Sequence, residues 1–206
     1  SPDAPPALPF WIDGRAVLSL GERLVDVQNP RQEPVLRRVP VCDAAVAQRA
    51  VAAARAAQPA WAALDPALRQ GVLAALATAL AGYAPHFTRL LGEDAGLTAT
   101  AAAEDVARAE QALLALPAQA PLSPVCALLP AADDPAPFSD AVRRLAMALN
   151  AGSAVLLLSS PCVAAPLLAL AELAARSGVP AGVFNLVHGD AMSARALQAA
   201  IGDSAG

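Results

Sequence analysis

The chain of 206 residues has room for one full domain, or for one domain with a small appendage, and its 56% apolar content, much of it alanine, supplies a large helical core. A net charge of −4, with arginine as the sole cation, argues against a nucleic-acid surface, and no run of about 18 uncharged apolar residues marks a membrane span. Three scattered cysteines (Cys42, Cys126, Cys162) and two histidines without a partner motif (His86, His188) argue against disulfides and a metal site; the start of the chain lacks the features of a signal peptide, so a cytoplasmic setting is expected.

Residues 1–9 are proline-rich and predict a flexible segment. Residues 10–42 predict a small antiparallel β-flap. In it "FWIDGRAV" reads as a hairpin turning at Asp13-Gly14, "RLVDVQNP" as a strand stopped at Asn29-Pro30, and "PVLRRVPV" as another extended run. Asp43 is the expected cap of a helix over Ala44 to Gln58, ended by Pro59. Asp65-Pro66 restarts a helix with one apolar stripe of Leu68, Val72, Leu73, Leu76 and Leu80. A shorter helix follows Pro85. Another runs from about Thr98 to Leu116, with Glu104, Asp105, Arg108 and Glu110 on its wet side, and is broken by Pro117 and Pro121.

From there strand and helix alternate. "SPVCALLPA" predicts a strand, and "FSDAVRRLAMALNAG" a helix capped by Ser139 and closed at Gly152. "SAVLLLS" predicts a second strand, "APLLALAELAARSG" a helix stopped at Gly178, "GVFNLVHGD" a third strand and "SARALQAAIG" a last helix. Such alternation means parallel βαβ units with right-handed crossovers, and strands apolar along their whole length are strands covered on both faces. The fold class is therefore α/β, a Rossmann-like parallel sheet with flanking helices and a small antiparallel flap. Residues 43–206 supply the helices and three βα units of an incomplete Rossmann-like domain, and the whole is one structural domain.

Ligands of such sheets bind beyond the carboxyl ends of the strands. The three ends here are Leu129-Pro130-Ala131, Leu158 to Pro161, and His188-Gly189-Asp190. No G-x-G-x-x-G is present, and Gly189 alone reads as an ordinary tight turn. Cys126 is expected as a buried strand residue. Cys162 is expected at a helix start, where the dipole lowers a thiol pKa, with an inert role preferred.

These stretches resemble the N-terminal, cofactor-binding half of the aldehyde dehydrogenase superfamily. "FWIDGR" and "VQNP" are similar to its opening hairpin. "DAAVAQRAVAAARAAQPAWAALDPALRQGVLAALATAL", with Trp61 and the Asp65-Pro66 restart, is similar to its first helical pair. "ALNAGSAVLLL" and "LLALAELAARSGVPAGVFNLVHGD" are similar to its second and third βα units. The departures fall on the site. The family follows its first strand with Pro-Trp-Asn-Phe-Pro, whose Asn helps form the oxyanion hole; here the turn is "PAADDPAPF", with Asp133 and Asp134. Its second strand ends in Lys-Pro-Ser-Glu, whose Lys and Glu hold the adenosine ribose; here Leu158, Ser159, Ser160 and Pro161 stand there. Its third strand is often followed by Gly-x-Gly; here Gly189 remains and Ala191 takes the second place.

The resemblance places the family's catalytic Cys and general-base Glu beyond residue 206. It implies a chain with no catalytic residue and a degenerate cofactor site at Leu158, Ser160, Pro161 and Gly189, holding no cofactor itself while NAD serves the parent enzyme. Such half-folds are known as non-catalytic second domains of family 16 aldehyde dehydrogenases and of the long proline utilisation A enzymes, and the opening hairpin favours the former. The partner implied is the dehydrogenase domain of the parent chain or a second copy, with no nucleic acid and no membrane. One alternative is the cofactor-binding part of a divergent, working NAD-dependent aldehyde dehydrogenase. Another is a small-anion binder using the helix starts after Gly189 and Cys162. Two further expectations concern assembly. The flap offers its strand edges for subunit association, and the first or third parallel strand is left as an exposed edge within a face buried by a partner.

Overall fold

The structure, a computed structural model, describes residues 4–18, 23–31, 33–116, 123–130 and 138–202. Strands β1 (Phe10–Ile12) and β2 (Arg15–Val17) form the expected hairpin. Asp13 and Gly14 at its turn both hold positive φ, 56° and 71°, which a two-residue turn of this hand demands and an Asp-Gly pair tolerates.

The hairpin does not stand apart as a flap. β1 pairs antiparallel with the last strand, β7 (Phe184–His188), placing Trp11 opposite Leu186. The main sheet therefore has five strands in the order β2-β1-β7-β6-β5, with β5 at Val125–Leu128 and β6 at Ala154–Ser159. The three βα strands are parallel, as expected, and β1 covers the outer edge of β7. Of the two candidates for an exposed edge, β7 is covered by β1, and among the described residues β5 is paired on one side only. The flap consists instead of β3 (Leu24–Asp26) and β4 (Arg38–Pro40), antiparallel to each other.

Within the proline-rich start, expected as a flexible segment over residues 1–9, residues 1–3 lie outside the described residues, and Pro6 and Leu8 pair with Arg38. Arg38 N–H donates to the Pro6 carbonyl at 2.9 Å, and Leu8 N–H donates to the Arg38 carbonyl at 2.8 Å. A proline lacks an N–H but keeps an acceptor, so alternating Pro and non-Pro residues can still pair along one edge.

Helices α1 (Ala44–Ala62) and α2 (Pro66–Gly82) begin where the sequence predicts, with Asp43 accepting from Val46 N–H and Asp65 from Ala67 N–H. Pro59 does not end α1, which runs one turn further. The missing N–H removes one bond near the end, and other contacts hold the final turn. Trp61 is buried and its indole donates to the Leu149 carbonyl at 2.9 Å. Arg69, buried in α2, donates to the carbonyls of Ala62, Leu64 and Asn150. The α2 stripe narrows to Leu73, Leu76 and Leu80, and Leu68 is exposed.

Helices α3 (Ala84–Ala95) and α4 (Ala99–Leu114) follow, then α5 (Phe138–Asn150), α6 (Ala164–Arg176) and α7 (Ala191–Gly202). Asp105 is not on the wet side of α4. It is 1% exposed and accepts from Ser139 Oγ and Arg108. Ser139 lies inside the first turn of α5 and spends its hydroxyl on this contact rather than as a cap.

Side-chain alternation along β6 builds two cores. Val155 and Leu157 point into the larger one, shared with α2 to α6, while Ala154, Leu156 and Leu158 point into a second one shared with α1, α7, Phe10 and Ile12. Among the described residues no helix is long and apolar enough to cross a membrane.

Candidate functional site at the strand ends

The expected site residues lie at the carboxyl ends of β6 and β7, which run in register with Leu158 opposite Val187 and Ser159 opposite His188. Leu158 is 2% exposed, and its side chain belongs to the α1/α7 core rather than to a crevice. Ser159 is buried and its hydroxyl lies 2.6 Å from Nδ1 of His188. Nε2 of the same ring lies 2.9 Å from the Pro9 carbonyl, a pure acceptor, so Nε2 carries the proton and Nδ1 accepts from Ser159. Phe10 stacks on the imidazole. Burial pushes the His188 pKa down to about 4, against the Pro9 hydrogen bond, so the ring is neutral. Sequence reading gave His188 no role; in the fold it pins the start of the chain to the strand ends.

The turn after β7 is occupied by the chain itself. Asp190 Oδ1 accepts from Met192 N–H at 2.9 Å and from Ser193 N–H at 3.3 Å, and Oδ2 pairs with Arg23. Despite partial desolvation, these backbone donors and Arg23 hold the Asp190 carboxyl below its usual range. The N-terminus of α7 thus already carries a carboxylate, which takes the place an anionic ligand would use. Asp190-Ala191-Met192-Ser193 is a legible capping pattern, and that signal was open to the sequence reading.

Gly189 is more than an ordinary tight turn. A Cβ there would stand 2.0 Å from Ser193 Oγ. Ser193 in turn donates to the Cys42 carbonyl, and Cys42 N–H donates to the His188 carbonyl, both at 2.8 Å, so the chain entering α1 closes this end.

Between the ends of β5 and β6 the space is equally small. Arg144 donates to the Leu129 carbonyl at 2.8 Å, and a cavity of about 10 Å³ remains among Leu129, Pro130, Ser160 and Val163, enough for at most one water. Ser160 Oγ lies 3.3 Å from Cys162 Sγ. Cys162 sits in a short 3-10 turn, Pro161–Val163, before α6, not at the start of an α-helix as expected. Cys126 is only half-buried, not a core residue. The turn with Asp133 and Asp134 lies outside the described residues.

A nicotinamide dinucleotide asks this site for ribose and pyrophosphate partners. Leu158 and Pro161 have no side-chain hydrogen bond to give, Ser160 already has a partner, and the α7 N-terminus is capped by Asp190. Among the described residues, the side chains of Leu158 and Pro161 supply neither of the ribose partners.

Away from the strand ends, Asn29 donates to the carbonyls of Gly92 and Glu93 and so closes the C-terminus of α3, giving the Asn29-Pro30 signal a tertiary role. Arg37 pairs with both Glu93 and Asp94. Asp94 is 1% exposed, and burial pushes its pKa up to about 6 against the pull of Arg37. Among the described residues no group of three or more His, Cys, Asp or Glu side chains could hold a metal ion.

The model of the aldehyde dehydrogenase family matches residues 17–124 and 135–201. Lactaldehyde dehydrogenase of Escherichia coli K12 is 29% identical over 203 residues, covering 88% of this chain and 42% of its own length. The mitochondrial acylating methylmalonate-semialdehyde/malonate-semialdehyde dehydrogenase of Rattus norvegicus is 29% identical over 206 residues, covering 89% of this chain and 38% of its own. Among solved structures, E. coli lactaldehyde dehydrogenase superposes with a TM-score of 0.82 at 27% identity, covering 94% of this chain and 45% of that one. PnpE, solved in complex with nicotinamide adenine dinucleotide, gives a TM-score of 0.83 at 25% identity, covering 92% of this chain and 43% of that one. The chain spans about four-tenths of the length of these relatives.

Proposed function

Since the chain belongs to the aldehyde dehydrogenase family, we propose that it keeps the family's cofactor-domain scaffold as a non-catalytic, architectural domain of a larger NAD-dependent aldehyde dehydrogenase. On this reading it resembles the second domain of family 16 enzymes, or of the long proline utilisation A enzymes. Its partner is the parent's dehydrogenase domain or a second copy of itself, and NAD serves the parent in the other half.

The observation that carries the reading is the end of β6. Leu158 fills the core where the family's ribose-binding Lys stands, and Pro161 replaces its Glu. Each ribose hydroxyl left without a partner costs about 1–3 kcal/mol, so two such losses weaken binding by roughly 10²-fold or more. Calorimetric titration of the chain with NAD is expected to give no heat of binding through the micromolar range.

A second reading has its own support, because the relatives named above are dehydrogenases and PnpE was solved with the dinucleotide. On that reading the chain is the cofactor-binding part of a divergent working enzyme. A micromolar dissociation constant for NAD in the same titration selects it and discards the first.

A further inference from the structure

The last turn of α3 is where residues between β3 and β4 meet the body of the chain. Asn29 Nδ2 donates to the carbonyls of Gly92 at 3.0 Å and Glu93 at 2.7 Å. A Cβ on Gly96, the residue that ends α3, would stand 2.7 Å from Asn29 Oδ1 and 3.2 Å from the Pro30 ring. Arg37, entering β4, pairs with Glu93 through one guanidinium nitrogen and with Asp94 through another, and Arg89 holds the second oxygen of Glu93 at 2.6 Å. Asp94 is held less completely. It is 1% exposed, its Oδ1 pairs with Arg37, and its Oδ2 has no partner among the described residues. A buried carboxylate with one oxygen unpaired carries an electrostatic cost that a proton on that oxygen removes. The apolar cluster that joins β3 and β4 to the body has three buried members, Val27, Val39 and Ala164. Segments with so few buried apolar contacts open locally, at free energies well below that of global unfolding.

We propose that residues 28–31 and 33–37 form a pH-sensitive latch on α3: held by Asn29 and Arg37, they open from its last turn as a local unit, and acidification from neutral closes them more tightly by placing a proton on Asp94. In the latched state burial raises the Asp94 pKa to about 6 against the pull of Arg37. Opening removes Arg37 and lets water reach the carboxyl, which returns toward its ordinary 3.8. The latched form therefore binds the proton more tightly, and lower pH favours it. Between pH 7 and pH 5 the ratio of closed to open rises about tenfold. The charges acting on Asp94 are Arg37 from the β4 side and Glu93 and Arg89 from α3 itself. The helices packed on α3 carry Glu104, Asp105, Arg108 and Glu110 on α4 and Glu172 and Arg176 on α6, and Arg31, Glu33 and Arg38 flank Arg37. Despite partial desolvation, Arg37 and Arg89 hold Glu93 below its ordinary range, so it stays ionised through this window. His86 Nδ1 lies 3.2 Å from Arg89, and histidine is the side chain that changes charge between these pH values, so the test is run without it.

Amide hydrogen exchange through residues 33–37 is the measurement, in a His86→Gln background and with rates corrected for the intrinsic pH dependence of exchange. Protection there is expected to rise about tenfold from pH 7 to pH 5. Asp94→Asn, neutral at every pH, should abolish the rise and show at pH 7 the protection that the background chain shows at pH 5. No rise in the background chain overturns the proposal, and so does a rise that survives Asp94→Asn. Protection in residues 33–37 equal to that of the α2 core amides also overturns it, since the stretch then opens only with the whole chain. If Asp94→Asn fails to fold by circular dichroism, carbon-13 titration of the Asp94 carboxyl in the background chain decides. A midpoint near 6, followed by the amide shifts of residues 33–37, supports the latch. A midpoint near the ordinary 3.8, or amide shifts that do not follow it, overturns the latch. No residue at the ends of β6 and β7 takes part, so these outcomes are separate from the NAD titration.

Discussion

His188 and Asp94 bind protons in opposite senses. His188 has a folded-state pKa of about 4 against an ordinary 6.5, so the unfolded chain binds the proton more readily between those values. Its stabilisation is complete above pH 6.5 and is lost as pH falls toward 4, on the order of 3 kcal/mol in all. His188→Gln should flatten this acid limb in urea denaturation measured across pH; an unchanged limb means the ring is not held neutral. Asp94, raised to about 6 from 3.8, does the reverse. The folded chain takes up that proton first, so its contribution is greatest at low pH and is lost as pH rises from about 4 to 6. Asp94→Asn should remove that decline, and a decline that persists in the variant assigns it to another group. That Leu158 and Pro161 bring no polar side chain to the end of β6 was legible in the sequence, because a missing functional group is visible in one dimension. The buried acids were not. Asp94 and Asp105 look like ordinary helix-surface residues until Arg37 and Ser139 arrive from 57 and 34 residues away.

Helices carry their signals locally, which is why α1, α2 and α4 began at Asp43, Asp65 and Thr98 as the capping chemistry predicts. The overrun of α1 past Pro59 depends on Trp61 and Arg69 reaching across to α5, which no periodicity records. The hairpin was legible as a hairpin but not as part of the main sheet, since its pairing with β7 is set by tertiary packing. Its two faces follow from that placement. Phe10 and Ile12 are fully buried, whereas Leu24 in the flap is 37% exposed. Phe10→Ala should cost about 3–5 kcal/mol in urea denaturation and Leu24→Ala less than about 1 kcal/mol. Equal costs would return the hairpin to the periphery. Any trial of subunit association through the flap must accordingly spare residues 10–17 and remove β3 and β4 alone.

At the scale of the whole chain, the sheet separates two cores, and each core draws on both halves of the sequence. The contact between His188 and the Pro9 carbonyl spans 179 residues, and Asp13 meets Asn185 across 172. During synthesis this has a temporal meaning. Residues 10–17 leave the ribosome long before β7 exists. At about 5–20 residues per second they wait roughly 10–35 s for the strand they pair with. Throughout that interval Phe10 and Ile12 have no core to enter, and the edge of β1 is open to any passing chain. Nascent chains stalled before Phe184 should therefore stay cleavable by protease within residues 10–17 and become resistant once His188 has emerged; resistance at the shorter lengths would show that the hairpin finds an earlier shelter. Pairing β1 with β7 therefore leaves one edge of the hairpin open for the whole interval between their syntheses.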